Sequence, residues 1–142
     1  MGNYIASGDL DIPQDTLLDL VDDEDAGSMT AEAQARVDQA IVDAEALVDG
    51  YCGARYAVPF ASPPGLVKAL AKQVAEWRLY NRRDRVPEAV QRAYDGAVST
   101  LKLIAQGKIS LGVDPGPAGR SQAGPRYEAP ERVFTRDTMK GF

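Results

Sequence analysis

The sequence predicts an all-α fold, a small helical bundle of three long helices and a short N-terminal one, followed by an extended C-terminal arm. Three observations predict it. Apolar residues recur at three- and four-residue spacing in three separate stretches, which places them on one face of a helix each time. Proline or a capping residue opens these stretches, and glycine or a Pro-led break closes them. Beyond residue 112, proline and glycine recur so often that neither a helix nor a central strand can propagate.

The elements follow in order. Residues 4–21 hold a short helix, with Asp11 as its cap, Pro13 just inside, and Leu17, Leu18, Leu20 and Val21 as its apolar side. The run DDEDAGS stops it in a solvated loop. Thr30 caps the first long helix, whose face is Ala33, Val37, Ala40, Ile41, Ala44, Leu47, Val48 and Tyr51, and Gly53 ends it. The crossing ARYAVPFASPPG follows, where alternating Tyr56, Val58 and Phe60 suggest a short strand or extended arm. Pro64 opens the second long helix, built on Leu66, Val67, Leu70, Ala71, Val74, Ala75, Trp77 and Arg78, which ends near NRRDR before Pro87. The third runs from about Pro87 to Gln106 on Val90, Ala93, Tyr94, Ala97, Val98, Leu101, Ile104 and Ala105. Gly107 is its C-cap, and Ile109, Ser110, Leu111 and Val113 suggest a brief strand beyond it. The chain therefore divides into a helical domain, residues 1–112, and an arm, residues 113–142.

Composition narrows the chemistry. The chain has no histidine and one cysteine, Cys52. That removes the commonest general base, the Ser-His-Asp and Cys-His arrangements and Cys/His zinc sites. An internal disulfide is impossible. The acidic loop from Asp22 to Asp25, with Gly27, lacks oxygen ligands where Ala26 and Ala33 stand and so reads as a solvated turn, not a calcium loop. The expectation is a non-enzyme with no catalytic residues, metal or cofactor. No apolar run nears the roughly 20 residues needed to cross a bilayer. No secretory signal opens the chain, so a soluble cytosolic product is expected.

The net charge of −5 is unevenly spread: residues 1–30 hold eight acids and no Lys or Arg. Arg78, Arg82, Arg83 and Arg85 cluster at a helix C-terminus, where the macrodipole favours cations. Such arginines could instead meet the acidic segment of a neighbouring copy, or nucleic acid. Acids interrupt the patch and the chain is acidic overall, so duplex binding is not expected. Cys52 reads as a small buried residue, and Trp77 and Tyr94 as packing residues.

The arm is the chemically distinctive part. It begins VDPGPAGRSQAGP and closes on RVFTRDTMKGF. Extended, its residues reach roughly 100 Å at about 3.3 Å each. Arg132, Val133, Phe134, Arg136, Met139 and Phe142 are the candidate partner-binding residues, apolar anchors flanked by cations. Residues 113–130 supply reach and 131–142 supply grip, as in a segment that orders on docking.

Several segments carry a family resemblance: DGYCGARYAVPF at 49–60, LVKALAKQVAEWRLYNRR at 66–83, VPEAVQRAYDGAVSTLKLIAQGKISLGVDP at 86–115, and the closing PERVFTRDTMKGF. Together they resemble a Mu-like phage and prophage protein family, first catalogued as a domain of unknown function and placed among head–tail connector proteins. The resemblance implies an adaptor, a helical subunit that assembles with neighbouring copies in a ring, commonly of twelve, beneath the portal protein. The ring would lengthen the channel through which packaged DNA passes and receive stopper or tail proteins. It implies a virion component of the head–tail junction, made in the bacterial host cytoplasm, with no membrane partner. An acidic 9–25 segment facing the channel would repel phosphate. The alternatives are a stopper or tail-completion protein of the same neck, and a small DNA-associated regulator using the arginine cluster.

Overall fold

Thr30 starts the longest helix as expected: its hydroxyl accepts the Ala33 N–H at 3.1 Å, satisfying one of the donors that a helix start leaves open. The computed structural model describes residues 2–23 and 25–115 of the chain. Among these, the elements are a 3₁₀ turn at Ser7–Asp9 and helices α1 (Gln14–Val21), α2 (Ala31–Cys52), α3 (Gly65–Asn81) and α4 (Glu88–Ala105). There is no strand among the described residues. The arm's residues 116–142 lie outside them.

Helices α2, α3 and α4 pack on one another, and α1 rests across α2 and α3. The shared core is Val37, Ile41, Ala44 and Val48 from α2, Val67, Leu70, Ala71, Val74, Ala75 and Leu79 from α3, and Ala97, Leu101 and Ile104 from α4. Burying an aliphatic side chain of this size contributes about 1.5–3 kcal/mol, so the three apolar faces account for the bundle. Two readings of these faces need correcting. Leu66, expected inside, is exposed at the first turn of α3, and Leu79, unassigned from the sequence, is 1 % exposed. Leu79 lies one turn beyond Ala75, so the buried stripe continues along α3 instead of shifting toward Arg78.

The termini of the helices follow local chemistry. At the end of α4, Gly107 takes a left-handed φ of 75°. Its N–H donates to the Ile104 carbonyl at 3.0 Å, and the Lys108 N–H to Leu103 at 2.9 Å, the paired bonds of a Schellman closure. Gly53, by contrast, ends α2 in right-handed geometry. Asp11 is not the cap of α1. Pro13 occupies that position with no side-chain cap, while Asp11 sends its N–H to Glu76 at 2.7 Å and its carboxylate to Lys72 at 2.5 Å. A cap oxygen must sit on the residue next to the first turn, and Asp11 stands two positions too early.

Both suggested strands are absent. Residues 53–64 and 106–115 run as turns and bends. Among the described residues no neighbouring strand offers a ladder, and tyrosine hydroxyls accept from an amide of each segment instead. The Phe60 N–H donates to Tyr4 Oη at 3.0 Å, and the Leu111 N–H to Tyr56 Oη at 3.1 Å.

Candidate functional site

Those two tyrosines organise the end of the bundle from which the C-terminal segment departs. The C-terminus of α2, the N-terminus of α3 and the C-terminus of α4 meet there, with the first residues of the chain folded over them. Tyr4 and Phe60 ring centroids lie 6.0 Å apart, and Tyr56 and Phe60 6.1 Å apart, both tilted. Ile109, Leu111 and Val113 pack against the core beside this cluster. A cleft of about 340 Å³ is lined by Tyr56, Pro59, Phe60, Ser62, Val113 and Asp114. The chain thus reaches residue 113 already fastened.

The N-terminal segment is held by one buried acid. Glu45 of α2 is 5 % exposed, and its carboxylate accepts the N–H groups of Asn3 at 2.6 Å, Tyr4 at 2.7 Å and Ile5 at 3.1 Å. A buried carboxylate persists only when hydrogen bonds replace its water, and three consecutive amides do so here. Gly2 makes the approach possible, since a Cβ there would stand 2.1 Å from Glu45 Oε1 and 2.6 Å from Ile41 Cγ2. One turn further along α2, Asp49 Oδ1 accepts the Tyr4 hydroxyl at 2.5 Å. Burial, and then the hydrogen bond to Asp49, pushes the Tyr4 phenol well above its ordinary range. Burial also raises Asp49, partly offset by the Tyr4 bond. Tyr4 therefore stays a neutral donor, a positioning group and not a proton carrier. The buried Cys52 thiol is pushed up to about 11, first by burial and then by Asp49, so it is protonated and poorly nucleophilic at neutral pH.

At the opposite end, the arginine cluster turns back on its own chain. Arg82 Nη1 donates to the Leu20 carbonyl at 2.9 Å, Arg83 Nη2 to Asp22 O at 2.9 Å, and Arg36 Nη1 to Val21 O at 2.7 Å. These are the carbonyls that the end of α1 leaves open. The Asp23 carboxylate pairs with Arg82, with Arg83 at 3.1 Å and with Arg36 at 3.3 Å. The Arg82 hydrogen bond, with the nearby positive charges, holds its carboxyl below the usual value despite some desolvation. Arg85 pairs with Asp19 at 3.4 Å. Two acids of the segment that could have met another copy's arginines, Asp19 and Asp23, thus meet their own. The macrodipole account of the cluster is incomplete, because these cations serve the C-terminus of α1 as well as that of α3.

Arg132, Val133, Phe134, Arg136, Met139 and Phe142, the residues expected to bind a partner, all lie outside the described residues. Among the described residues, no group of three or more Cys, Asp or Glu side chains is arranged to hold a metal ion, and no helix is long and apolar enough to cross a membrane. Trp77 and Tyr94 stack at 4.2 Å with a 15° interplanar angle, and Trp77 Nε1 donates to Gln91 Oε1 at 2.8 Å, which is packing. Glu45, Asp49 and Tyr4 were not singled out from the sequence. One signal was present: Glu45 interrupts the apolar face between Ile41 and Val48, and an acid in that register needs donors.

The profile of the family described as Bacteriophage Mu, Gp36 matches residues 4–128. Gene product J of Escherichia phage Mu is 34% identical over 122 residues, covering 80% of this chain and 82% of that protein. The Mu-like prophage FluMu protein gp36 of Haemophilus influenzae is 30% identical over 110 residues, 77% of each chain. The profile match takes in the Tyr4–Glu45 clamp, the aromatic cluster and the start of the arm, and stops before residues 131–142.

Proposed function

This chain belongs to the bacteriophage Mu Gp36 family, and from that premise we propose that it works as a structural head–tail connector, an adaptor subunit. In this reading, copies assemble side by side as a ring below the portal protein, commonly of twelve, and the ring receives stopper or tail proteins. Packaged DNA passes through it, no reaction is catalysed, and its place is the head–tail junction of the virion. A subunit interface that repeats by rotation closes such a ring.

The observation that carries the reading is the fastened exit of the C-terminal segment. Ile109, Leu111 and Val113 are packed down, and the Leu111 amide is bonded to Tyr56. The C-terminal segment therefore leaves the bundle from a point tied to its core. An arm anchored so close to its root confines its distal anchors to a smaller volume, which raises their effective concentration at a neighbouring site. Phe134 and Phe142 would fill pockets there, and Arg132 and Arg136 would find carboxylates or carbonyls.

Two earlier expectations are reshaped. An acidic channel lining from residues 9–25 retains less repulsion, because Asp19 and Asp23 are paired with arginines. A DNA-associated regulator has less to work with, since Arg82, Arg83 and Arg85 are engaged within the chain. A stopper or tail-completion role remains the alternative, because the same anchored arm would serve at either level of the neck.

Truncation after Leu111 is the test. The shortened chain is expected to keep its helical circular dichroism while failing to co-sediment with portal rings that capture the full chain. Equal capture of both forms would remove the docking-arm reading. An image of the native particle separates adaptor from stopper by height and copy number.

A further inference from the structure

Between the first half of α2 and the last turns of α3 runs a groove of about 300 Å³. Arg36, Arg78 and Arg82 line it against a single acid, Asp43, with Trp77 and Ala40 as apolar wall. Arg36 and Arg82 are occupied by the end of α1. Arg78 is not comparably satisfied: its Nη1 stands 3.9 Å from Asp43, and its Nε is buried with no hydrogen-bond partner among the described residues. A buried N–H without an acceptor is costly enough that native proteins seldom leave one. The Nε is out of reach from outside, but the Arg78 head group is partly exposed with its one acid at 3.9 Å, which leaves its Nη groups open to a further carboxylate beside an apolar side chain.

The chain carries a matching surface. On α1, Asp15, Leu18 and Asp19 fall at i, i+3 and i+4, so they share one helix face. Asp15 and Asp19 are exposed, and Leu18 is half-buried. Asp19 pairs with Arg85 at 3.4 Å between two side chains that are both mostly exposed, an arrangement of small net strength.

We propose that this α2–α3 groove receives the Asp15–Leu18–Asp19 face of α1 from a second copy of the chain, with Asp15 meeting Arg78 and Leu18 covering Trp77. The proposal rests on the self-association in the connector reading and names the surfaces that carry it. The two surfaces are different, so the contact is heterologous and propagates from copy to copy, as a ring requires. Because the interface is electrostatic at its centre, it weakens with salt.

Trp77 is the sole tryptophan, which makes intrinsic fluorescence a direct reporter of the groove. The full-length chain is followed by sedimentation velocity and by emission wavelength across a concentration series at low salt. Association is expected with a parallel blue shift. Arg78→Glu and Asp15→Lys are each expected to weaken it about tenfold or more, and the double variant to recover to within about threefold. Circular dichroism confirms the fold of each variant; the Arg78 head group borders solvent, and Asp15 is exposed. Association that survives Arg78→Glu without a change in Trp77 emission overturns this interface while leaving the connector reading intact. A blue shift abolished by truncation after Leu111, but not by Asp15→Lys, would assign the groove to the C-terminal segment and overturn the α1 assignment. A chain that stays monomeric to about 1 mM, the weak limit of useful affinity, removes the interface too. The connector reading would then depend on portal capture alone.

Discussion

The Glu45 carboxylate of α2 accepts the backbone N–H of Tyr4 at 2.7 Å, forty-one residues away in sequence. With the Asn3 and Ile5 amides on the same carboxylate, this one side chain fastens the N-terminal segment to the bundle. Glu45→Ala leaves three amides without an acceptor and is expected to destabilise the fold by about 3 kcal/mol or more. Glu45→Gln, which keeps one acceptor oxygen, is expected to cost roughly half as much. Urea unfolding followed by far-ultraviolet circular dichroism measures both. Equal stability of Glu45→Ala and the parent would show that the clamp does not hold the segment.

Tyr4→Phe removes the hydroxyl that donates to Asp49 and accepts from Phe60, while keeping the ring contact with Phe60. A loss of about 1–2 kcal/mol is expected. Hydrogen exchange should quicken at the Phe60 amide and leave the centres of α3 and α4 unchanged.

Gly107 holds a φ of 75°, and a Cβ there would stand 2.0 Å from Arg55 Nη1. Gly107→Ala is expected to cost about 1 kcal/mol, the backbone penalty for leaving the left-handed region to a residue with a Cβ. Arg55 can move aside, so its share is small. A thermal melt compared with Gly112→Ala is informative: Gly112 has a φ of 72° with open space around it, which isolates the backbone part.

Acid acts on the two ends of the molecule with opposite sign. Asp23 has its pKa lowered below 3.8 by Arg82 and its neighbours. Its contribution is therefore fully present above 3.8 and is lost as pH falls through the lower folded value. Asp49 has its pKa raised above 3.8 by burial, so its charged form is a liability at neutral pH that is relieved as pH falls toward 3.8. Asp23→Asn is expected to melt below the parent at neutral pH, with the gap closing below about pH 3.8. Asp49→Asn is expected to give its most favourable difference from the parent near neutrality. Melting curves of the parent and both variants between neutral pH and pH 3 decide each sign independently.

Much of the bundle was legible because helix periodicity is local. Val37, Ile41, Ala44 and Val48 announce a buried face whatever they pack against, and Thr30 and Gly107 mark ends through bonds made within a few residues. Asp11 misled because its position in sequence suggests a cap while its nearest opposite charge, Lys72, lies on another helix. Tyr56, Val58 and Phe60 misled for a related reason. Alternation is a strand signal only where a second strand supplies the other half of the ladder, and here the acceptors are phenols.

What the sequence determined by itself was the all-α class, the order of the helices, the absence of histidine and the uneven placement of charge. All of these depend on residues close together in the chain or on composition alone. Only the tertiary structure decided that Glu45 clamps the first residues, that Arg36, Arg82 and Arg83 converge on Asp23, and that Arg78 Nε is buried without a partner among the described residues. The first two join groups more than ten residues apart. Their energies depend on burial and distance in space, which no local pattern encodes.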